Sequence, residues 1–271
     1  MADTLNISAL NQALVGTPFA GHLRHFASLP STNSLAMQEA GSGAPHGSVY
    51  LADEQTAGRG RGDHDWHSEP GSGIYLSVLL RPAIAPADVL WLSLAAGLAV
   101  SSAIRQVTTL EPDLRWPNDL LFGSRKFCGI LTELHAEVTR VHHAVIGIGI
   151  NVHQEAFRGE LRHTATSLRI ESGREWPRQE IVAALLQSLH RETVALTSSA
   201  TAADAAARIP ERVEKISSWI RGKRVTVDEA EGFSGVTEGL DPRGFLLVRT
   251  SDGLRTVLSG SVREAKSNSF R

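Results

Sequence analysis

Two arginines set among three glycines, Gly58-Arg59-Gly60-Arg61-Gly62, follow the apolar run Val49-Tyr50-Leu51-Ala52 and the polar stretch Asp53-Glu54-Gln55-Thr56-Ala57. Guanidinium forks are planar, permanently charged donors that match carboxylate or phosphate, and glycine lets the backbone come close to an anion. The chemistry on offer is an anion clamp. Residues 53–73 separate two strand-like runs, 49–52 and 74–80, by more than a structural connection needs, which is the mark of a functional loop. Lys126, in Arg125-Lys126-Phe127-Cys128-Gly129-Ile130-Leu131, offers a third cation.

Other polar groups punctuate the chain. Ser31-Thr32-Asn33 opens a short helical segment that Gly41 closes, so its cap residues sit beside the free N–H groups of a helix start. Asn118-Asp119 follows Trp116-Pro117, and Gly147-Ile148-Gly149-Ile150 ends on the polar Asn151. Each piece alone has an ordinary reading: a solvated Arg/Gly turn, a Pro-Asn-Asp turn, a surface strand lysine, glycines at a packing contact, a core Trp66. Asp63-His64-Asp65-Trp66-His67 has side chains that bind zinc at tight spacing, but lies in a polar loop without a second ligand cluster, so no metal site is assigned. Cys128 reads as a small apolar filler, not a nucleophile.

The elements that must position these groups follow from composition and period. With 271 residues, 42% hydrophobic and 21% charged, there is room for one large domain and a small one. The first 20 residues read as a weakly patterned lead-in. A long apolar helix is expected over 86–107, strands at 114–116, 120–122 and 126–133 with a Gly123-Ser124 hairpin turn, and a buried strand at 144–150. Ile181, Leu185 and Leu189 mark an amphipathic helix, a further helix is expected over 204–219, and from Lys223 short β-rich runs suggest a small barrel. No run reaches 18 consecutive apolar residues and the start lacks a secretory signal, so no membrane association and a cytoplasmic setting are expected. A single cysteine fits a reducing compartment, and a net charge of -2 leaves no footprint for nucleic acid.

In their order, Ser31-Thr32-Asn33, residues 54–61, Trp66, residues 116–119, residues 125–131 and residues 147–151 resemble biotin-protein ligases of the kind without a DNA-binding domain, and Ser261-Val262-Arg263 is similar to a family ending. The resemblance implies an α/β (α+β) catalytic domain of the class II aminoacyl-tRNA synthetase type over residues 1–219, with a mixed, mostly antiparallel sheet, and an SH3-like β-barrel over 220–271. It implies that biotin and ATP with Mg2+ give biotinyl-5'-AMP, and that the acyl group then passes to a lysine of a biotin carboxyl carrier protein. Ser31, Thr32, Asn33, Gln55, Gly58, Arg59, Gly60, Arg61, Lys126 and Gly129 would hold biotin. Arg59, Arg61, Trp66, Asn118, Lys126, Asn151 and Arg263 would hold the nucleotide, and Arg59, Lys126 and Asp119 would act in catalysis, Asp119 orienting or deprotonating the incoming amine. Whether two copies form a homodimer stays open. The alternatives are a lipoate-protein ligase or octanoyl transferase, whose relatives lack the Gly-Arg-Gly-Arg clamp, and a non-catalytic regulator that binds biotinyl-adenylate.

Overall fold

The motifs are carried by seven strands: β1 (Leu23–Phe26), β2 (Val49–Ala52), β3 (Gly73–Leu80), β4 (Asp113–Arg115), β5 (Asp119–Phe122), β6 (Arg125–Ala136) and β7 (Val141–Asn151). They form one sheet in the order β1-β2-β3-β7-β6-β5-β4. Only β1 and β2 run parallel; the other pairs are antiparallel. This computed structural model describes residues 4–62, 64–228 and 232–265; Asp63 and the start Met1-Ala2-Asp3 lie outside them.

Alternation along β7 explains how the sheet separates its core from its site. Ile146, Ile148 and Ile150 pack into the main core, whereas Val145 packs on the other face with Ala36, Ala40, Tyr50 and Leu79. With a period of two, Gly147 and Gly149 share the face of Val145. The helices are α1 (Ile7–Ala13), α2 (Thr32–Gly41), α3 (Leu90–Thr108), α4 (Leu161–Thr164), α5 (Leu168–Ser172), α6 (Arg178–Thr193), α7 (Ala202–Ala207) and α8 (Ile209–Lys215). α2 lies on the glycine face; α3 and α6 cover the other. Ile181, Leu185 and Leu189 of α6 are fully buried, each contributing about 1.5–3 kcal/mol by leaving water.

Residues Pro86–Thr108 are long and apolar enough to cross a membrane by length and composition alone. In the fold they are a 3-10 turn (Pro86–Asp88) followed by α3, whose Leu92, Leu94, Ala95, Ala96, Ala99 and Val100 are buried in the core. The lead-in is more ordered than its pattern suggests: Asn6 caps α1 by accepting from Ala9 N–H at 3.0 Å, and Leu10 and Leu14 are buried. The expected helix over 204–219 is two short helices. Pro210 stands in the first turn of α8, where its missing N–H is harmless, but it could not continue α7.

The remaining strands are β8 (Arg221–Asp228), β9 (Phe233–Leu240), β10 (Leu246–Thr250), β11 (Gly253–Val257) and β12 (Ser261–Glu264). They make an antiparallel sheet in the order β11-β10-β9-β8-β12, which does not close among the described residues. Trp116, before a cis peptide to Pro117, donates its indole N–H to Gly244 O at 2.9 Å and ties this sheet to the first.

Candidate active site

The floor of the site is bare backbone. Gly149 pairs with Tyr75 on β3 and Gly129 on β6, while Gly147 pairs with Ser77 and Leu131. A Cβ at Gly149 would lie 2.5 Å from the Trp66 ring, one at Gly129 2.8 Å from it, and one at Gly147 2.2 Å from Asn33 Oδ1. Only glycine leaves these side chains where they are.

One wall is the start of α2. Ser31 caps it, its Oγ accepting from Ser34 N–H at 3.4 Å. Thr32 donates its N–H at 2.8 Å and its hydroxyl at 3.0 Å to Gln55 Oε1. Ser77 Oγ lies 2.7 Å from Thr32 Oγ1 and 2.5 Å from Asn33 Oδ1, and Asn33 Nδ2 donates to Leu131 O at 3.2 Å and Glu133 Oε2 at 2.8 Å. Thr32, Asn33 and Ser77 are all buried. The result is a fixed set of hydroxyl and amide groups able to present both donors and acceptors to a neutral polar ring.

The arginine loop forms the lid. Its outgoing leg is held by Thr56 N–H and Ala57 N–H, which donate to Leu29 O and Pro30 O at 3.0 and 2.9 Å. Its tip is a small hairpin, in which Gly60 N–H donates to His64 O at 2.7 Å and Trp66 N–H to Gly58 O at 2.9 Å. Gly58 serves that hairpin, because a Cβ there would meet Trp66 O at 2.5 Å. Trp66 lies over Gly129 and Gly149, with Lys126 Nζ 5.4 Å from its ring centroid, and its buried indole N–H has no hydrogen-bond partner among the described residues.

Three cations meet here. Arg59 contacts both oxygens of Glu133, at 2.9 and 2.7 Å. Lys126 Nζ is 2.6 Å from Asp119 Oδ1, and Arg115 holds Oδ2 at 2.6 Å. Arg61 differs, since it donates to neutral acceptors: Asn118 Oδ1 at 3.2 Å and, from the connection between β11 and β12, Gly260 O at 3.4 Å. Among the described residues no carboxylate forms an ion pair with it. Burial lowers its pKa, opposed by the charge of Asp119, and a guanidinium stays protonated regardless. Burial pushes the Asp119 pKa up, but Lys126 and then Arg115 outweigh it and hold the carboxyl below its ordinary range.

Ser31, Thr32, Asn33, Gln55, Arg59, Gly60, Arg61, Trp66, Asn118, Lys126 and Gly129 therefore line one cleft. Gly58, Asp119, Asn151 and Arg263 do not line it. Asp119 reaches it through Lys126. Asn151 is buried and donates to Thr166 O at 3.0 Å, while Thr166 N–H donates to Lys126 O at 2.9 Å, so Asn151 braces the Lys126 backbone. Arg263 stands exposed on β12. Cys128 is fully buried on the core side, where burial drives its thiol pKa far up. Among the described residues no His, Cys, Asp and Glu group could hold a metal ion.

Three residues of the site escape sequence reasoning: Ser77, Arg115 and Glu133. Ser77 had a signal, being polar in an otherwise apolar strand, whereas Glu133 shares its strand with other polar residues and had none. Arg115 had none, because an arginine at a strand end is commonplace.

Residues 25–151 match the biotin/lipoate A/B protein ligase family, and residues 221–263 match the biotin protein ligase C terminal domain. The chain is 36% identical over 245 residues to the bifunctional ligase/repressor BirA of Bacillus subtilis, spanning 89% of this chain and 73% of that one. It is 34% identical to the biotin--[acetyl-CoA-carboxylase] ligase of Mycobacterium tuberculosis, over 86% of this chain and 85% of the other. The biotin protein ligase of Aquifex aeolicus, solved in complex with biotin and ATP, superposes with a TM-score of 0.77 at 28% identity, over 90% of this chain and 100% of that one. A cationic cleft floored by glycines, on a fold and sequence shared with these enzymes, places the chain in the biotin protein ligase family.

Proposed function

We propose that this chain activates biotin with ATP and transfers it to one lysine of a biotin carboxyl carrier protein, both steps at the cleft under the arginine loop. The observation that carries this reading is the convergence of Arg59, Arg61 and Lys126, with Arg61 half-buried against neutral acceptors. A half-buried cation with no ion-pair partner among the described residues is costly, and an incoming carboxylate and phosphate would complete it.

In the first step a biotin carboxylate oxygen attacks the α-phosphorus of ATP, a P–O bond forms, and pyrophosphate leaves. Two anions must meet, so the barrier is one of positioning and charge, and no protein nucleophile is needed. Arg59 and Arg61 close over the acyl phosphate, with Gly60 giving backbone access, and Lys126 faces the carboxylate and α-phosphate. Thr32, Asn33 and Gln55, capped by Ser31, bind the ureido ring; Gly129 gives the acyl tail its room. Trp66 and Asn118 border the nucleotide. Mg2+ enters with ATP as part of the substrate. In the second step the lysine amine attacks the acyl carbon, AMP leaves, and the amine loses a proton. Asp119 holds Lys126 in place and orients the amine; with two cations against it, it is a weak proton acceptor. Asn151 contributes by bracing Lys126, and Arg263 would have to move from its exposed face to touch the nucleotide.

The five-stranded C-terminal sheet is read as an SH3-like domain beginning at residue 220, following a catalytic domain over 1–219 of the class II synthetase type. It supports the lid through Gly260 O. The reaction is placed in the cytoplasm, where ATP and carrier are available and a lone thiol stays reduced.

The test is incubation of the full chain with MgATP, a carrier domain, and either biotin or lipoate, followed by pyrophosphate assay and intact mass of the carrier. Biotin-dependent pyrophosphate release with one biotinyl group on one lysine is expected. Labelling by lipoate alone, or binding without turnover, would overturn the reading.

A further inference from the structure

Both roots of the arginine loop converge on one buried guanidinium. Arg178, the first residue of α6, is 3% exposed. Its NH1 donates to Asp53 Oδ1, where the chain leaves β2, and to Gly73 O, where it enters β3, each at 3.0 Å. The second Asp53 oxygen lies 2.9 Å from His25 Nε2 on β1, and Asp53 O accepts from Gly71 N–H at 3.1 Å. The return leg is held again nearby. Tyr75 OH accepts from Glu69 N–H at 3.1 Å and lies 3.2 Å from Glu69 O, and Ser72 O accepts from His153 N–H at 2.7 Å.

The placement is unfavourable for α6 itself. A cation in the first turn of a helix opposes its dipole, and a buried guanidinium is tolerated only when paired. What Arg178 gains is contact with the start and the end of a loop whose tip carries Arg59, Arg61 and Trp66. From Glu54 to Ala57 and from Glu69 to Gly73 the backbone is pinned to neighbouring segments, whereas in the tip the N–H groups of Gly60 and Trp66 donate to His64 O and Gly58 O of the tip itself.

We infer that Arg178, acting through Asp53 and the Gly73 carbonyl, is a positioning residue for the lid: it fixes both loop roots so that opening is confined to the 58–68 tip and the two arginines return to one place over the cleft. This rests on the proposed ligase reading for its catalytic consequence, though the anchoring itself does not. The ureido pocket is built from α2, β3 and Gln55, and Gln55 is held without Arg178, by Thr32 and by the bonds of Thr56 and Ala57 N–H to Leu29 O and Pro30 O. Loss of Arg178 therefore weakens retention of the adenylate and leaves recognition of biotin in place.

The variants are Arg178→Ala, Arg178→Lys and Asp53→Asn in the full chain. Arg178→Lys keeps the charge without the fork, and Asp53→Asn keeps the shape, which guards against a fold lost in Arg178→Ala. Two readouts are taken: the split of newly made adenylate between bound and released, and the rate of trypsin cleavage after Arg59 and Arg61 relative to cleavage after exposed Arg174, without ligand. For Arg178→Ala, adenylate release faster by roughly ten-fold is expected, the effect of taking the guanidinium from the half-buried Asp53 carboxylate and the Gly73 carbonyl, with KM for biotin unchanged. Cleavage at the tip relative to Arg174 rises in parallel, and Arg178→Lys falls between. Equal adenylate retention and equal cleavage ratios in parent and variants would overturn the inference. If the parent makes no adenylate, the ligase reading fails, and the cleavage ratio still decides the anchoring.

Discussion

The glycine floor makes the sharpest prediction, and Gly147→Ala is the change that isolates it. The new methyl would stand 2.2 Å from Asn33 Oδ1 and 2.8 Å from Asn33 Cγ, a separation that real structures do not show. Asn33 must rotate, since Gly147 is held by pairing to Ser77 and Leu131 on both sides. Overpacking of this size costs about 1–3 kcal/mol. Displacing Asn33 also removes its bonds to Leu131 O and Glu133 and leaves buried Ser77 short of a partner, at about 0.5–1.5 kcal/mol for each net bond lost. With three bonds lost, the expected destabilisation is about 2.5–7.5 kcal/mol by urea unfolding. If the ligand ring loses two polar contacts at about 1 kcal/mol each, biotin affinity by calorimetry falls about 30-fold. Gly41→Ala at the far end of the same helix meets open space and should change stability by less than about 1 kcal/mol. The decisive comparison is Gly147→Ala in an Asn33→Ala background, where the obstructing atoms are gone and most of the cost should vanish. An equal cost in both backgrounds refutes the clash argument.

Arg61→Gly removes the one lid cation that lacks a carboxylate partner among the described residues, so biotinyl-adenylate should appear free in solution; retention equal to the parent's refutes this role. Asp119 has a depressed pKa in the fold, so its stabilisation is complete above the ordinary carboxylate range and is lost as pH falls through the folded value. The stability gap between the parent and Asp119→Asn should therefore be widest near neutrality and narrow in acid; a gap flat with pH contradicts the pairing. The chain has two tyrosines, and burial raises both Tyr50 and Tyr75, the latter to about 12. Folded protein should show little tyrosinate absorbance at pH 10, where an ordinary tyrosine is half ionised, and because the unfolded chain ionises first, stability falls above that pH. Cys128 should not react with thiol reagents until the protein unfolds.

Much of the site was legible along the chain because its chemistry belongs to side chains that come in short contiguous motifs. Arg59 and Arg61, Lys126, Thr32 and Asn33 declare what they can bind by type alone, and the helix start at Ser31 and the Gly123-Ser124 turn are local choices of backbone. The amphipathic period of α6 likewise marks its buried stripe. None of these depends on a partner far away in sequence.

Other features have no local cause. That Gly147 and Gly149 bare a floor, while the isoleucines between them fill the core, depends on which face α2 covers, and that is settled by packing across β3, β7 and β6. Glu133 as the partner of Arg59, Arg178 as the tie between Asp53 and Gly73, and the reach of Gly260 to Arg61 join residues 74, 125, 105 and 199 positions apart. Such pairings are set by strand register and by how helices seat on the sheet, so a charged residue read in isolation shows its charge but not its counterion. Burial decides the rest: Asp119 and Cys128 have ordinary acidities as residues, and only the cations around the one and the dry core around the other make them a lasting anion and an inert thiol.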